Sequence, residues 1–317
     1  MSADAILVAV DGPHAAQWLR LFREQPGGRR VYAWPDAPGD PADIGYACVW
    51  RPPAGLLSTF PNLRMIVNLG AGADHLLADP RLPDVPIVRA AHPDLSMRVT
   101  EYVVLHTLRY HRRHSLYDAQ QRERVWRVHP QPAASEVGVG VMGLGVIGSE
   151  AARVLARIGF QVAGWSTRVK QIEGIEVFHG VHGLDPFLER TEILICLLPL
   201  TDVTHGILNA SLLIKLKRDG AAGGAFLINA GRGGLQIDAD ILSALDDDTL
   251  AGATLDVFPQ EPLPPDSPMW SHPKVTVTPH NAGDILPAFL VADVMQQITR
   301  LERGEPLLNV VDRKRGY

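Results

Sequence analysis

Cysteine is scarce in this sequence of 317 residues: Cys48 and Cys196 are the only two, and each sits in an apolar run. Two isolated thiols exclude a disulfide framework and a cysteine-built metal centre, and make a reducing compartment the default. Long apolar stretches are missing too, since none approaches the roughly 20 residues needed to cross a bilayer. The opening MSADAILVAVDG has neither the basic start nor the apolar length of a signal peptide and reads as a first β-strand. A cytoplasmic protein is expected, with no membrane partner. Neither sign of charge dominates: 30 Lys and Arg stand against 35 Asp and Glu, a net charge of −5 with no long run of one sign. That argues against a nucleic-acid partner. The dense basic cluster from Arg109 to Arg113 reads as a solvated helix face. There is no internal repeat and no low-complexity tract.

What is present is a chain with 46% hydrophobic and 21% charged residues, a globular balance, long enough for two domains. The first hundred residues alternate short apolar runs with helical or turn-rich segments. AILVAV (5–10), VYAW (31–34), YACVW (46–50), RMIVNL (64–69) and PIVRA (86–90) read as strands, and their spacing suggests a parallel α/β sheet. From Met97 to about Arg113 a long helix is expected. The stretch after it, through HPQPAAS (129–135), shows no clear period and is expected to wrap the surface.

A second α/β series begins at Val137. VGVGVM (137–142) is a strand, followed by a helix with Ile147, Ala151, Val154, Leu155 and Ile158 on one face and Gly159 as its stop. QVAGW (161–165), EILICLL (192–198), AFLINA (225–230), ATLDV (253–257) and KVTVT (274–278) are further strands, with Asn209 and Asp238 as expected N-caps. A last helix, roughly Asp284 to Arg303, returns the chain to the first domain. The expected organisation is a discontinuous substrate-binding domain, 1–100 with 285–317, and a dinucleotide-binding Rossmann domain, 101–284.

Gly143, Gly145 and Gly148 form G-x-G-x-x-G between a strand and an amphipathic helix, the context a dinucleotide needs. The first glycine permits the tight turn, the second lets backbone approach a pyrophosphate, and the third lets helix and strand pack closely. The helix N-terminus offers unpaired N–H groups to the phosphates. About twenty residues on, where a carboxylate often holds the adenosine ribose, stand Ser166, Thr167 and Arg168. Hydroxyls and a guanidinium suit a 2′-phosphate, so NADPH is favoured over NADH, which stays possible.

Ligands of open parallel sheets sit at the carboxyl ends of strands. Three such ends carry polar side chains: Arg232 after AFLINA, Glu261 in the loop PQEPLPP, and His280 after KVTVTP. Reducing an α-keto acid needs a cation to anchor and polarise it, an acid to protonate the forming alkoxide, and a group that holds that acid. Arg232, His280 and Glu261 suit these roles in turn. Singly, each reads as a surface ion pair, a polar corner or a solvated side chain; jointly the functional reading prevails. Gly70, Ala71 and Gly72 follow a first-domain strand, where consecutive N–H groups can receive a substrate carboxylate. A purely structural turn fits that stretch as well. No metal site is expected; His111 and His114 are taken as helix surface. Trp126 and Trp270 either line the substrate pocket or simply pack.

Across nearly its whole length the chain resembles the D-isomer-specific 2-hydroxyacid dehydrogenases, through NLGAGADHL, GLGVIG, INAGRGGL, TLDVFPQEPLP and TPHNAG in that order. GWSTR, LDVFPQEPLPPDSPMWSHPKVTVTPH and the terminal VDRKRGY make it most similar to the glyoxylate/hydroxypyruvate reductase A group. The resemblance implies two Rossmann-like domains, one flavodoxin-like and one dinucleotide-binding, with a cleft between them. It also implies a homodimer that reduces glyoxylate to glycolate and hydroxypyruvate to D-glycerate with NADPH, using Arg232, Glu261 and His280. The expected cofactor-binding set adds Val146, Ile147, Leu198, Pro199, Ala230, Gly231, Asp256 and Gly283. The substrate set is Gly70, Ala71, Gly72, Arg232 and His280. The glycine-rich KRDGAAGGAFLIN (217–229) departs from the family pattern and is expected to loosen that turn. An NAD-linked dehydrogenase of another 2-hydroxy acid, a formate dehydrogenase and a dinucleotide-sensing binding protein are the alternatives. GWSTR argues against the first, and Glu261 beside a histidine against the second.

Overall fold

Short β-branched runs separated by amphipathic helices build two parallel sheets, each covered by helices, in a computed structural model that describes residues 4–10, 15–36 and 40–316. The ends of MSADAILVAVDG and the Tyr317 of VDRKRGY lie outside the described residues. The chain divides into two units: residues up to Leu95 together with those from Ile285 onward, and Ser96–Asp284.

In chain order the first unit opens with β1 (Ala5–Val10), α1 (Ala15–Arg23), β2 (Val31–Ala33), β3 (Ile44–Trp50), β4 (Met65–Asn68), α2 (Asp74–Leu77) and β5 (Ile87–Arg89). The boundary falls within α3 (Pro93–His111). The second unit continues with α4 (His114–Glu123), β6 (Gly138–Met142), α5 (Val146–Ile158), β7 (Gln161–Ser166), β8 (Glu176–His179), α6 (Leu184–Glu189), β9 (Ile193–Cys196), α7 (Ala210–Leu213), β10 (Phe226–Asn229), α8 (Asp238–Asp246), β11 (Gly252–Leu255) and β12 (Val275–Val277). Finally α9 (Pro287–Glu302) belongs to the first unit.

The first sheet has the order β2-β1-β3-β4-β5, the second β12-β11-β10-β9-β6-β7-β8, and every named pairing is parallel. In the first unit α9 lays Leu290, Val291, Val294 and Ile298 on the same core as Ile6, Val8, Val67 and Val88. In the second unit α5 buries Gly148, Ala151, Ala152 and Leu155. This face is narrower than the sequence pattern predicts: Ile158 is exposed, because small residues at 148, 151 and 152 let the helix sit closer to the sheet on that side.

Five further differences have physical causes. A second helix, α4, occupies what reads as an aperiodic stretch; of its residues only Gln120 is buried, so it carries no apolar stripe to betray it. Arg113 at φ 53° breaks it from α3. Strand β8 adds an edge to the second sheet whose residues are partly or wholly exposed. Asp238 is the first residue of α8, with Ile237 as its cap, whereas Asn209 caps α7 by accepting from the Leu212 N–H. His111 is buried, edge-on to Phe160, and is not helix surface. The glycine-rich turn before β10 is not loose: the buried Glu192 carboxylate accepts from the N–H of Gly138 at 3.1 Å and of Ala222 at 2.6 Å, and ties the turn to the start of β6.

Both cysteines are buried and reduced, with their thiol pKa values raised by burial, Cys196 to about 12. Among the described residues no helix is long and apolar enough to cross a membrane.

Candidate active site

The carboxyl ends of six neighbouring parallel strands of the second unit carry almost all the residues singled out by the sequence. Along the sheet edge, β12 leads to His280, β11 to Asp256 and Glu261, β10 to Ala230, Gly231 and Arg232, β9 to Leu198 and Pro199, β6 to the glycine loop, and β7 to Ser166–Arg168. The chain leaves β6 in one direction for β7 and β8 and in the other for β9, the switch point at which such sheets bind ligands.

The glycine loop has the geometry a dinucleotide requires. Gly143 adopts φ 98°, in the left-handed region that favours glycine. A Cβ at Gly148 would come within 1.8 Å of the Gly143 carbonyl oxygen, so the third glycine is fixed by close packing. Gly145 faces open space, since beyond its chain neighbours no described residue comes within 4 Å of where a Cβ would stand, and it caps the thirteen-residue α5. A bare backbone at a helix N-terminus, with Val146 exposed beside it, is a cradle shaped for a pyrophosphate.

Beyond β7 the polar residues divide their labour. Ser166 is buried and its hydroxyl donates to the Arg168 carbonyl at 2.6 Å, which curls the turn so that Thr167 and Arg168 face outward. Lys170, which no sequence motif marks, donates from Nζ to the Leu144 carbonyl of the glycine loop. A lysine two residues beyond Arg168 was the available signal, and its role depends on a turn that periodicity does not reveal.

His280 and Glu261 meet. The imidazole Nδ1–H donates to Glu261 Oε2 at 2.8 Å, and Glu261 Oε1 accepts the Phe258 N–H at 3.0 Å. An ionised carboxylate only accepts, so this pairing sets the ring tautomer and leaves Nε2 as the outward nitrogen. His280 sits at φ 56°, a strained backbone for a non-glycine residue, held by its neighbours. Asp256 does the holding: its buried carboxylate accepts from Thr278 Oγ1 at 2.6 Å and from the N–H groups of Asn281 and Ala282 at 3.0 and 2.9 Å. Asp256, expected at the cofactor, also engages both its oxygens in the loop that carries His280. Arg232 is half-buried and braced by its own turn, where Asn229 accepts from the Gly231 N–H and donates to the Arg232 carbonyl. Its Nη1 donates to the Gly231 carbonyl at 2.8 Å.

Gly70, Ala71 and Gly72 follow β4 in the first unit and are half-exposed. Their three N–H groups make no hydrogen bond among the described residues. Of the two tryptophans, Trp126 is 98% and Trp270 53% exposed.

A sheet edge that pairs a phosphate cradle with a guanidinium and a carboxylate-held imidazole is built for hydride transfer to or from a hydroxy acid. The chain belongs to the D-isomer-specific 2-hydroxyacid dehydrogenases: residues 104–282 match the family's NAD-binding domain. It is thus an NAD(P)-dependent oxidoreductase of that class. Glyoxylate/hydroxypyruvate reductase A of Yersinia enterocolitica is 39% identical over 309 residues, covering 96% of each chain. The crystal structure of an NADPH-dependent glyoxylate/hydroxypyruvate reductase from Sinorhizobium meliloti, in complex with NADP and sulfate, is similar with a TM-score of 0.92 at 43% identity, covering 99% of this chain and 100% of that one. A D-isomer-specific 2-hydroxyacid dehydrogenase from Xanthobacter autotrophicus, in complex with NADPH and MES, matches with a TM-score of 0.93 at 40% identity over 99% of each chain.

Proposed function

We propose that this protein reduces glyoxylate to glycolate and hydroxypyruvate to D-glycerate with NADPH. The observation that carries the reading is the order of side chains along one sheet edge, from the outward Nε2 of His280 to the cationic turn after β7.

Gly143, Gly145, Val146, Ile147 and Gly148 hold the pyrophosphate, and Thr167, Arg168 and Lys170 face the 2′-phosphate. Leu198, Pro199, Ala230, Gly231, Asp256 and Gly283 line the rest of the cofactor, and Asp256 also holds the His280 loop. Bound NADPH supplies the hydride. Arg232 pairs with the keto acid and draws electron density toward the carbonyl oxygen, so that C2 accepts the hydride as the C=O π bond opens. His280 gives its Nε2 proton to that oxygen, and Glu261 stabilises the imidazolium before transfer and orients the ring throughout. Gly70, Ala71 and Gly72 receive the substrate carboxylate through unengaged N–H groups.

We further propose a cytoplasmic homodimer. Leu105, Leu116, Tyr117, Val125, Trp126 and Val128 of the second unit are all exposed, with Trp126 at 98% and Val128 at 84%. Large apolar side chains gathered in one part of the sequence and left in water fit a surface that a second copy covers.

Initial rates with glyoxylate and with hydroxypyruvate, each with NADPH and NADH, test the reading. Turnover with strong NADPH preference is expected. NADH preference would overturn the cofactor assignment, and absence of turnover on either acid would overturn the substrate.

A further inference from the structure

The turn Gly70–Ala71–Gly72 is held from behind by two side chains that the catalytic account leaves unused. Asn68 ends β4 and Arg89 ends β5, and the two are register partners on adjacent parallel strands. Side chains of such partners emerge on the same side of a sheet. Asn68 Nδ2 donates to the carbonyls of both Gly70, at 2.8 Å, and Gly72, at 2.9 Å. Arg89 Nη1 reaches the carbonyl between them, that of Ala71, at 3.4 Å. All three carbonyls of the turn are thereby drawn to one side, while the three N–H groups stay unengaged among the described residues.

The charge is as informative as the geometry. Arg89 is half-buried and forms no ion pair among the described residues. Burial alone lowers its pKa, the sign of a cation taken partly from water without a counter-charge. Asn68 is fully buried, and its Oδ1 has no hydrogen-bond partner among the described residues. Turning the amide over would aim Oδ1 at two carbonyl oxygens, so the observed orientation is the one that serves the turn. The chain thus retains a costly polar pair behind this turn, where two apolar residues would pack at no such cost.

We infer that Asn68 and Arg89 are positioning residues for the substrate carboxylate: Asn68 fixes the N–H groups of the turn outward, and Arg89 adds positive charge behind them. The inference rests on the reading of Gly70–Gly72 as the carboxylate cradle. It adds that affinity for the acid group is set from the strand ends beneath the turn, by a cation that does not touch the reacting atoms. An anion at the front of the turn supplies the counter-charge that Arg89 lacks.

The test has two arms on the whole protein. A crystal structure with NADP and oxalate, a non-reducible acid, reports on the cradle itself. Kinetics of Arg89→Met, Arg89→Lys and Asn68→Ala report on the brace. Oxalate should lie on the N–H groups of Ala71 and Gly72. Arg89→Met should raise the KM for glyoxylate by about tenfold, the scale of one charge-assisted hydrogen bond, with kcat and NADPH affinity little changed. Arg89→Lys should recover most of that loss, because it restores charge. Asn68→Ala should raise KM similarly, and if it fails to fold the arginine pair still decides. Oxalate bound elsewhere would overturn both the cradle and the brace. Oxalate on the turn, with KM unchanged in Arg89→Met or with Arg89→Lys no better than Arg89→Met, would overturn the brace alone.

Discussion

His280 Nδ1 lies 2.8 Å from Glu261 Oε2, and the other oxygen of Glu261 is fixed by the Phe258 N–H, so the imidazole is oriented by a carboxylate that is itself oriented. Glu261→Gln keeps the shape and loses the charge. It should lower kcat by about a hundredfold or more while leaving melting temperature and NADPH affinity near those of the parent. Stopped-flow rates beside a cofactor titration check this, and an unchanged kcat would remove Glu261 from the mechanism.

Arg168 and Lys170 follow the same turn, which the Ser166 hydroxyl shapes by donating to the Arg168 carbonyl. Replacing both by Ala should raise the KM for NADPH by roughly ten- to a hundredfold and leave that for NADH nearly unaltered, because only the phosphate-bearing cofactor loses charge-assisted bonds. Parallel rises for both cofactors would mean the two residues merely support the fold.

His106 is buried, with its pKa lowered to about 4, first by burial and then by the charge of Arg109. The unfolded chain therefore binds this proton more readily than the folded one between about pH 4 and 6.5, and stability rises with pH across that window. Acidifying from pH 7 to pH 5 should cost on the order of 2 kcal/mol through this residue. His106→Gln, compared by urea denaturation at both pH values, should flatten the difference; an equal slope would assign acid sensitivity to other groups.

Trp126 is 98% exposed in the single chain. If a second copy covers it, Trp126→Asp places a charge in that interface and should shift the protein toward monomer. Light scattering after size-exclusion chromatography reads this directly, and a wild type already monomeric would dispose of the dimer.

Glu192 holds the start of β6 and the glycine-rich turn together through two hydrogen bonds from backbone N–H groups. Glu192→Ala strands both groups in the interior and should cost about 2–4 kcal/mol of stability. A melting temperature within a degree of the parent would show that the turn is held by other contacts.

How far the molecule was legible in its sequence follows from which signals are local. Strands such as β1 and β9 are buried on both faces and announce themselves as unbroken apolar runs. Helix α4 and strand β8 bury almost nothing, so no apolar period marks them. The pairing of Arg232, Glu261 and His280 with strand ends was readable because parallel topology forces loops to one edge. Lys170 and the structural role of Asp256 escape a reading of the sequence because their partners, the Leu144 carbonyl and the Asn281 and Ala282 N–H groups, are backbone groups that any sequence possesses. The glycine-rich segment 217–229 reads as slack because its anchor, Glu192, lies some thirty residues before the Ala222 N–H it holds.

The interruption of the first unit by the second has a consequence for the order in which the chain can mature on the ribosome. Residues 96–284 emerge as one continuous stretch and possess every strand of their sheet by the time β12 is made. The five strands of the other sheet are synthesised earlier, yet Leu290, Val291, Val294 and Ile298 reach their shared core only when α9 is released. The part of the protein begun first is thus the part finished last, and for most of translation its sheet lacks the helix that completes its core.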